Sequence, residues 1–391
     1  MIMEEMILEN VRNMPPSGIR KYFDMINEME NVISLGVGEP DFVTPWNVRE
    51  AGIYSLEKGQ THYSSNAGFI ELREEICKYL SRRFDLSYSA KDEVLVTVGG
   101  SEAIDLALRA LVGPGDEVII PEPSFVAYKG CTAFTGAKAV TIDLKEEDEF
   151  KLTANQLREA ITDRTKVIIL PFPNNPTGAI MTRDELAEIV EVLKDKDIII
   201  LSDEIYAELS YDSRHVSIAT FPEVKDKTII VNGFSKSYAM TGWRLGYAVG
   251  HPVLIDAMKK IHQYGIMCSP TTAQFAAIEA LKNGDDNVAE MAREYNRRRR
   301  VVVNSFRKMG LDCFEALGAL YVFPSIKSTG MTSDEFCEKL LKEERVLAVP
   351  GNAFGECGEG YIRACYAASM EDLVEAMNRI SRFVEKHRIE K

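Results

Sequence analysis

The chain of 391 residues is 46% hydrophobic and 27% charged, with a formal net charge of −14 at pH 7. This composition is that of a globular protein, and the length suits two or three domains with a large buried core. The acidic balance argues against nucleic acid as a partner, because like charges repel, and a small anionic ligand would need a locally positive site.

Seven cysteines are scattered along the chain, and none of them forms a CxxC pair. Such a set is typical of free thiols in a reducing compartment and favours neither a disulfide framework nor a metal site. The acidic N-terminus lacks the apolar core of a signal peptide, and no apolar run approaches the ~18 residues of a membrane span. We therefore expect a cytoplasmic protein.

Short apolar runs alternate with helix-length segments through the middle of the chain. Runs of this kind suit strands that helices cover on both faces, so the sequence predicts an α/β domain with a mostly parallel, seven-stranded sheet. Thr182 and Glu185 predict a capping box at the start of one helix. The predicted strands lie at 94–98, 117–121, 139–144, 166–172, 197–202, 228–234 and 245–250.

The same alternation predicts the domain organisation. A large domain is expected at residues 46–289 and a smaller α+β domain at 290–391, because strands and helices mix differently after the last predicted strand of the sheet. The N-terminal segment 1–45 is expected to pack on the smaller domain.

Four consecutive arginines at 297–300 fall on a predicted helix. Glu290 and Glu294 lie within one helical turn of Arg293, Arg297 and Arg298, so their side chains can form ion pairs along the helix. We expect a solvated, ion-paired helix face there, not a binding patch.

The stretch GFSKSYAMTGWRLGY (233–247) holds one lysine, Lys236, and one arginine, Arg244, among uncharged residues. It follows a predicted strand, and ligands of open α/β sheets bind at the carboxyl ends of strands. A lysine that acts as a nucleophile needs a setting that favours its neutral or imine form. Each residue taken alone is an ordinary loop residue, so the interpretation depends on what accompanies them.

Three further stretches follow predicted strands. Gly99 and Gly100 lead into a helix, whose first N–H groups can bind a phosphate. Asn175 lies in the turn-forming PFPNNPTG, where its amide can donate hydrogen bonds. Asp203 follows the apolar run DIIIL, where a carboxylate is costly to bury without a partner, and Tyr206 lies three residues later.

Together these residues supply what pyridoxal phosphate needs. The glycine turn, Ser235 and Arg244 would bind the phosphate, with Ser101 and Glu102 next to the turn. Asp203 would pair with the pyridine nitrogen and keep the ring an electron sink. Asn175 and Tyr206 would form hydrogen bonds with the ring hydroxyl. Lys236 would form the Schiff base with the cofactor.

The motifs PNNPTG, SDEIY and GFSKSYAMTGWRLGY, in this order, resemble those of the class I/II (fold-type I) pyridoxal-phosphate aminotransferases. LGVGEPDF, HYSSNAG, VPGNAFG and YIRACYA fit the same family, and the resemblance runs from about residue 30 to the C-terminus. It looks closest to archaeal-type aromatic and aspartate aminotransferases. The ordered set is specific, and it implies that Lys236 is the Schiff-base lysine.

The resemblance implies further roles. Arg363 matches the arginine that clamps the substrate α-carboxylate, which suits the fork of a guanidinium. Gly38 and Asn175 match other contacts at the substrate, and Phe125 matches the aromatic residue stacked on the cofactor ring. Tyr63 matches a tyrosine that reaches the phosphate of the neighbouring subunit, which implies a homodimer with shared sites.

The expected activity is a ping-pong transfer of an amino group from an L-amino acid to 2-oxoglutarate. Lys236 would carry a proton between the substrate Cα and the cofactor, with Asp203 and Tyr206 as the other catalytic residues. A C–S or β-lyase, or an aminocyclopropane-carboxylate synthase-like lyase, would use the same residues. A transcription regulator with this domain as a ligand sensor is disfavoured, because only about thirty residues precede the first motif.

The amino donor stays open at this point. In relatives that act on dicarboxylates, a lysine or arginine binds the distal carboxylate, but this chain has Ser101 at one such position. The other falls in HQYGIMCSP, which contains Tyr264 and no cation. Aromatic or other large uncharged donors are therefore favoured, with aspartate and N-acetyl-LL-diaminopimelate as alternatives. A cation from elsewhere, such as Arg20, would be needed to admit a distal carboxylate.

Overall fold

The computed structural model of the chain describes residues 2–14 and 29–388. Its strands are β1 (Ile33–Ser34), β2 (Val94–Thr97), β3 (Glu117–Glu122), β4 (Lys138–Asp143), β5 (Thr165–Leu170), β6 (Ile199–Asp203), β7 (Thr228–Gly233), β8 (Gly246–Val249), β9 (Tyr321–Val322), β10 (Val346–Leu347), β11 (Val349–Pro350) and β12 (Ile362–Cys365). Its α-helices are α1 (Ile2–Glu5), α2 (Glu9–Arg12), α3 (Trp46–Glu57), α4 (Ile70–Phe84), α5 (Gly99–Leu111), α6 (Ala127–Thr135), α7 (Ala154–Ala160), α8 (Arg183–Leu193), α9 (Pro222–Lys225), α10 (Pro252–Gly265), α11 (Thr271–Asn283), α12 (Asp285–Lys308), α13 (Ser333–Glu344) and α14 (Met370–Lys386).

Seven of the strands form one sheet, in the order β2-β8-β7-β6-β5-β3-β4. Only β8 runs antiparallel to its neighbours, so the sheet is mostly parallel. The seven predicted strands and the α/β class are confirmed. The central strands are buried along their whole length, because helices cover both faces, and for that reason they are visible in the sequence as unbroken apolar runs.

The parallel arrangement determines where the polar loops meet. The carboxyl ends of β2, β3, β5, β6 and β7 lie at one edge of the sheet. The segments that follow these strands therefore come together there, and open parallel sheets bind their ligands at this edge.

The C-terminal third forms two smaller sheets. β9, β11 and β12 make an antiparallel sheet in the order β11-β12-β9, and β1 pairs in parallel with β10. Phe306, Phe336 and Phe383, from α12, α13 and α14, are fully buried in the core of this part. The segment that contains β1 is thus joined to the C-terminal third, whereas Asn10 of α2 donates a hydrogen bond of 2.9 Å to a carbonyl of α6. The domain boundaries remain predictions.

Helix α8 begins with the predicted capping box. Glu185 N donates to Thr182 Oγ1 at 3.4 Å, and Thr182 N donates to Glu185 Oε2 at 2.7 Å. Two N–H groups that a helix start leaves without intrahelical partners are thereby satisfied.

The prediction of a solvated arginine face on α12 is wrong for two of its residues. Arg297 is exposed and pairs with Glu294, as expected. The side chains of Arg298 and Arg299 are only 9% and 1% exposed, because they lie on the inward face of an amphipathic helix. Both are paired with carboxylates outside the helix, which offsets the cost of burying a guanidinium.

Among the described residues, none of the helices combines the length and the apolar character that crossing a membrane requires. Within the same residues, no group of three or more histidine, cysteine, aspartate or glutamate side chains is arranged to hold a metal ion. All seven cysteines are free thiols.

Candidate active site

A cavity of about 570 Å³ lies at the carboxyl edge of the large sheet. Loops after the strands of that sheet form one side, and the segment 36–39 with residues of β9 and β12 forms the other. Of the described residues to which the sequence assigned a role at the cofactor or substrate, all but Gly99, Glu102 and Tyr63 line this cavity. They are Gly38, Gly100, Ser101, Phe125, Asn175, Asp203, Tyr206, Ser235, Lys236, Arg244 and Arg363.

Lys236 lies three residues beyond the end of β7, and its side chain is partly buried. Its Nζ donates a hydrogen bond of 2.5 Å to the backbone carbonyl of Gly38 and lies 5.8 Å from the ring centroid of Tyr206. Loss of solvent around the ammonium lowers the pKa of Lys236 to about 8. A substantial fraction of this lysine is therefore neutral near physiological pH, unlike an exposed lysine.

Asp203 is the last residue of β6 and is 6% exposed. Burial raises its pKa to about 6, although two hydrogen bonds oppose the shift. Tyr128 Oη donates to Oδ2 at 2.6 Å, and Ile205 N donates to Oδ1 at 3.2 Å. Tyr128 was missed by the sequence reasoning. The available signal was its place three residues after Phe125, at the start of α6, where one turn brings both to the same side.

The turn between β2 and α5 is built for close approach of other groups. Gly99 has φ +73°, and a Cβ there would lie 2.7 Å from Arg244 Nη2. A Cβ at Gly246 would lie 2.6 Å from Gly100 N, so both positions require glycine. The guanidinium of Arg244 is thus held beside the N–H groups at the start of a helix, which gives one positive spot in an acidic protein.

The carboxylate of Glu102 does not face the cavity. It accepts a hydrogen bond of 2.5 Å from Val98 N and bonds His262 Nδ1 at 2.8 Å. The side chain therefore braces the turn from behind, and only the backbone N–H of Glu102 remains for its predicted role at the phosphate.

Arg363, on β12, is 4% exposed and faces the segment 36–39. Its Nη2 donates to Gly36 O at 2.6 Å, and its Nη1 donates to Asn175 Oδ1 at 3.0 Å. The guanidinium carbon lies 4.5 Å and 4.7 Å from the ring centroids of Tyr321 and Phe354. Its Nε is buried without a hydrogen-bond partner among the described residues, which also supply no carboxylate to Arg363. A buried cation of this kind lacks an anion.

Two phenols connect the two sides of the cavity. The hydroxyls of Tyr206 and Tyr321 lie 2.7 Å apart, and Tyr321 Oη lies 3.4 Å from Gly38 O. Burial raises the pKa of Tyr321 to about 12 and that of Tyr206 further above its ordinary value, so both remain protonated donors. The sequence reasoning missed Tyr321, because nothing in LYVFPSI distinguishes it from a core residue.

Tyr63 is 78% exposed and Tyr264 is 88% exposed in the single chain. They lie in two segments that Asn66 links by donating a hydrogen bond of 2.8 Å to Met267 O. Large apolar side chains on or near these segments and α3 are also exposed, namely Val43, Trp46, Ile53, Tyr54, Leu56, Ile70, Ile266 and Met267. Arg20, the candidate for a mobile cation, lies outside the described residues.

The family model for aminotransferases of class I and II matches residues 30–380. The chain belongs to this family. It is therefore an aminotransferase, and enzymes of the family generally depend on pyridoxal phosphate.

Individual relatives span almost the whole chain. The putative aminotransferase YugH of Bacillus subtilis is 54% identical over 98% of this chain and 100% of its own length. An aspartate aminotransferase of Pyrococcus abyssi is 42% identical over 96% of this chain and 97% of its own. A solved aromatic aminotransferase from Pyrococcus horikoshii has 43% identity and a TM-score of 0.89, covering 93% of this chain and 99% of that one.

Proposed function

We propose that this aminotransferase binds pyridoxal 5′-phosphate in the cavity at the sheet edge and transfers an amino group from an L-amino acid to 2-oxoglutarate by a ping-pong mechanism. The observation that carries the proposal is the state of Arg363. It is buried without a carboxylate, in the same cavity as a lysine of lowered pKa and a buried aspartate. An amino acid brings a carboxylate for Arg363 and an α-proton for the lysine, Lys236.

The residues of the cavity fit the cofactor. The glycine turn leaves room that a Cβ would fill, and it places helix N–H groups beside Arg244, which suits a phosphate. Asp203, buried at the base, suits a protonated ring nitrogen. The residues that would hold the phosphate are Gly100, Ser101, Glu102 through its N–H, Ser235 and Arg244. Those that would hold the ring are Phe125, Asn175, Asp203, Tyr206 and Lys236.

When bound, pyridoxal phosphate supplies a carbonyl that takes up the amino group and a ring that withdraws electrons from the reacting carbon. Lys236 Nζ, with its lowered pKa, takes the proton from the substrate Cα and later returns it. Asp203 is negatively charged above about pH 6, and Tyr128 fixes its orientation by a hydrogen bond of 2.6 Å. Tyr206 stays protonated and acts as a hydrogen-bond donor.

Arg363 binds the α-carboxylate of the substrate in this proposal. Its two terminal nitrogens already contact Gly36 and Asn175, so the guanidinium is oriented before substrate arrives. The rings of Tyr321 and Phe354 cover its faces and exclude water. Because little reorganisation is needed, more of the ion-pair energy is available for holding the substrate.

We further propose that large uncharged donors, aromatic ones above all, are preferred over aspartate. Among the described residues that line the cavity, the cations are Lys236, Arg244 and Arg363, each with another role, and Glu39 adds a negative charge at the mouth. A distal carboxylate would lack a partner there, whereas an aromatic ring gains from burial. Relatives named for aspartate and for aromatic amino acids are about equally identical to this chain, so identity does not choose between them.

The active unit is proposed to be a homodimer. Tyr63 and the exposed apolar side chains near it form a surface of the kind that is buried between subunits. In such a dimer the partner subunit's Tyr63 would contribute a hydroxyl to the phosphate. The test is the oligomeric state in solution together with the cofactor affinity of Tyr63→Phe.

A panel of amino donors with 2-oxoglutarate tests the activity and the donor class together. We expect kcat/KM to be higher for phenylalanine and tyrosine than for aspartate or N-acetyl-LL-diaminopimelate. An aspartate value that exceeds both aromatic values by about tenfold, some 1.4 kcal/mol, would contradict the preference. Release of ammonia and a 2-oxo acid from a β-substituted amino acid, without transfer to 2-oxoglutarate, would instead indicate a lyase.

A further inference from the structure

Arg298, on α12, is held rigidly although it does not line the cavity. Its Nη1 donates to both carboxylate oxygens of Asp41 at 2.8 Å, and its Nε donates to Glu294 at 2.9 Å. The rings of Phe42 and Tyr295 lie 5.4 Å and 5.6 Å from its guanidinium carbon. A side chain that is 9% exposed with this many fixed contacts has little freedom of its own.

Asp41 is the other end of this ion pair, and it is anchored twice. Besides Arg298, it accepts a hydrogen bond of 3.2 Å from Tyr295 Oη. Burial alone would lower the pKa of Arg298, but the hydrogen bonds to Asp41 and Glu294 raise it above its ordinary value. Arg298 therefore keeps its positive charge in this pair.

Asp41 follows directly on the segment that contacts the reacting groups. Gly36 O accepts from Arg363, and Gly38 O accepts from Lys236. Pro40 lies between this segment and Asp41, and its ring fixes φ and restricts the residue before it. Pro40 thus limits how much of a shift of Asp41 the backbone before Gly38 can absorb.

The backbone at Gly38 is packed too closely to move without disturbing its neighbours. A Cβ on this residue would collide with the Tyr321 hydroxyl, so the backbone lies directly against that ring. A small displacement of 36–39 would change the contacts of Arg363 and Lys236 together.

We propose that Arg298 is a positioning residue for the substrate side of the active site: its ion pair with Asp41 fixes the segment 36–39 that orients Arg363 and Lys236. This inference rests on the proposed function. The four-arginine run, for which the sequence predicted a solvated, ion-paired helix face, thereby contains one residue that acts on the chemistry through two intermediate groups.

The test uses the cofactor-loaded enzyme and the variants Arg298→Met, Asp41→Asn and the double variant, with Arg297→Met as the matched control. Arg297 is the neighbouring arginine of the same helix, is exposed and also pairs with Glu294. Measured are kcat and KM for the amino donor, the dissociation constant of the cofactor and the thermal midpoint. The thermal midpoint reports on folding. The dissociation constant of the cofactor reports on the side of the cavity that is formed by the loops after the strands of the large sheet.

For Arg298→Met we expect KM for the donor to rise about tenfold or more, because the segment 36–39 then no longer holds Arg363 in the orientation that binds the substrate carboxylate. The cofactor dissociation constant should stay within about twofold, and Arg297→Met should match wild type in all measurements. Asp41→Asn should change KM in the same direction. The double variant should have no higher a KM than Arg298→Met, because both substitutions remove the same ion pair.

Three results would overturn the inference alone: an unchanged KM in Arg298→Met, additive effects in the double variant, or losses of cofactor affinity and thermal midpoint that parallel the rise in KM. If Arg298→Met does not fold, the KM of Asp41→Asn decides in the same way. A wild-type protein that binds the cofactor but does not transaminate would instead overturn the proposed function, and the inference would fall with it.

Discussion

The cavity has a sheet side, formed by loops that directly follow β2, β3, β5, β6 and β7, and a substrate side, formed by the segment 36–39 with residues of β9 and β12. On the sheet side each functional residue lies a few positions from the strand that places it. On the substrate side the contacts join residues far apart in sequence, such as Gly36 and Arg363, 327 residues apart. The sheet side is fixed by the large buried sheet. On the substrate side Arg363 and Tyr321 lie on the small sheet of β9, β11 and β12, a hydrogen bond joins Gly36 to Arg363, and the ion pair of Asp41 with Arg298 joins the end of the segment to α12.

Because of this difference, we expect the two sides of the cavity to affect different steps of the reaction. The sheet side has the buried acid, the lysine and the proposed phosphate cradle, so damage there should affect cofactor binding and the chemical step. The substrate side has a guanidinium held by two carbonyl-type acceptors and two rings, so damage there should affect substrate affinity. Kinetic constants separate the two, because KM and kcat respond differently to lost binding and to lost transition-state contacts.

The largest effect is expected for Lys236→Ala on the sheet side. Transamination should fall ~10⁴-fold or more, because the variant loses both the group that attaches the cofactor and the base for the α-proton. The cofactor should still bind, since the phosphate cradle is intact. Steady-state rates and equilibrium dialysis measure the two effects, with the exposed Lys145→Ala as control. Activity of Lys236→Ala within about tenfold of wild type would remove this residue from the chemistry.

Asp203→Asn keeps the shape of the side chain and removes its charge. With the cofactor bound, the half-reaction with the donor should slow ~10³-fold, or about 4 kcal/mol of barrier, because the ring is then a weaker electron sink. Single-turnover absorbance measures this rate. Tyr128→Phe, which removes only the hydrogen bond of 2.6 Å, should cost about tenfold. A fully loaded Asp203→Asn that reacts as fast as wild type would contradict the account.

Arg363→Met should show the opposite kinetic signature. We expect KM for the donor to rise ~10²-fold, because the substrate carboxylate then enters a buried site without a cation. Cofactor affinity should not change, since Arg363 lies on the substrate side. Arg382→Met, an exposed arginine paired with Glu344, is the control. Loss of cofactor affinity in Arg363→Met without a rise in KM would break the comparison of the two sides.

The smallest effect concerns the pKa of Lys236 in the cofactor-free protein. Only the neutral amine reacts with an acylating reagent, so its rate of modification should rise with pH and level off above about pH 8. Exposed lysines should continue to gain reactivity toward their ordinary pKa of about 10.4. Peptide mass spectrometry across a pH series gives each midpoint. A midpoint for Lys236 near that of the exposed lysines would show that burial does not tune it.

Sequence alone predicted the sheet and most of the sheet side, for one physical reason. Strands buried on both faces are apolar runs, and the residues after them are placed by the strands, so Asp203 and Lys236 could be located without knowing any long-range contact. Tyr128 and Tyr321 were missed because their roles depend on which surfaces pack together. The burial of Arg298 was missed for the same reason, since its partner Asp41 lies 257 residues away. Local charge spacing could not distinguish that contact from a solvated face.

The central claim is that Lys236 carries the cofactor in the cavity at the sheet edge. Borohydride reduction of the purified holoenzyme, followed by digestion and peptide mass spectrometry, tests it directly. We expect a single pyridoxyl adduct, on the peptide that contains Lys236, and its disappearance in Lys236→Ala. An adduct on any other lysine, or a yellow protein that forms no adduct at all, would contradict the account.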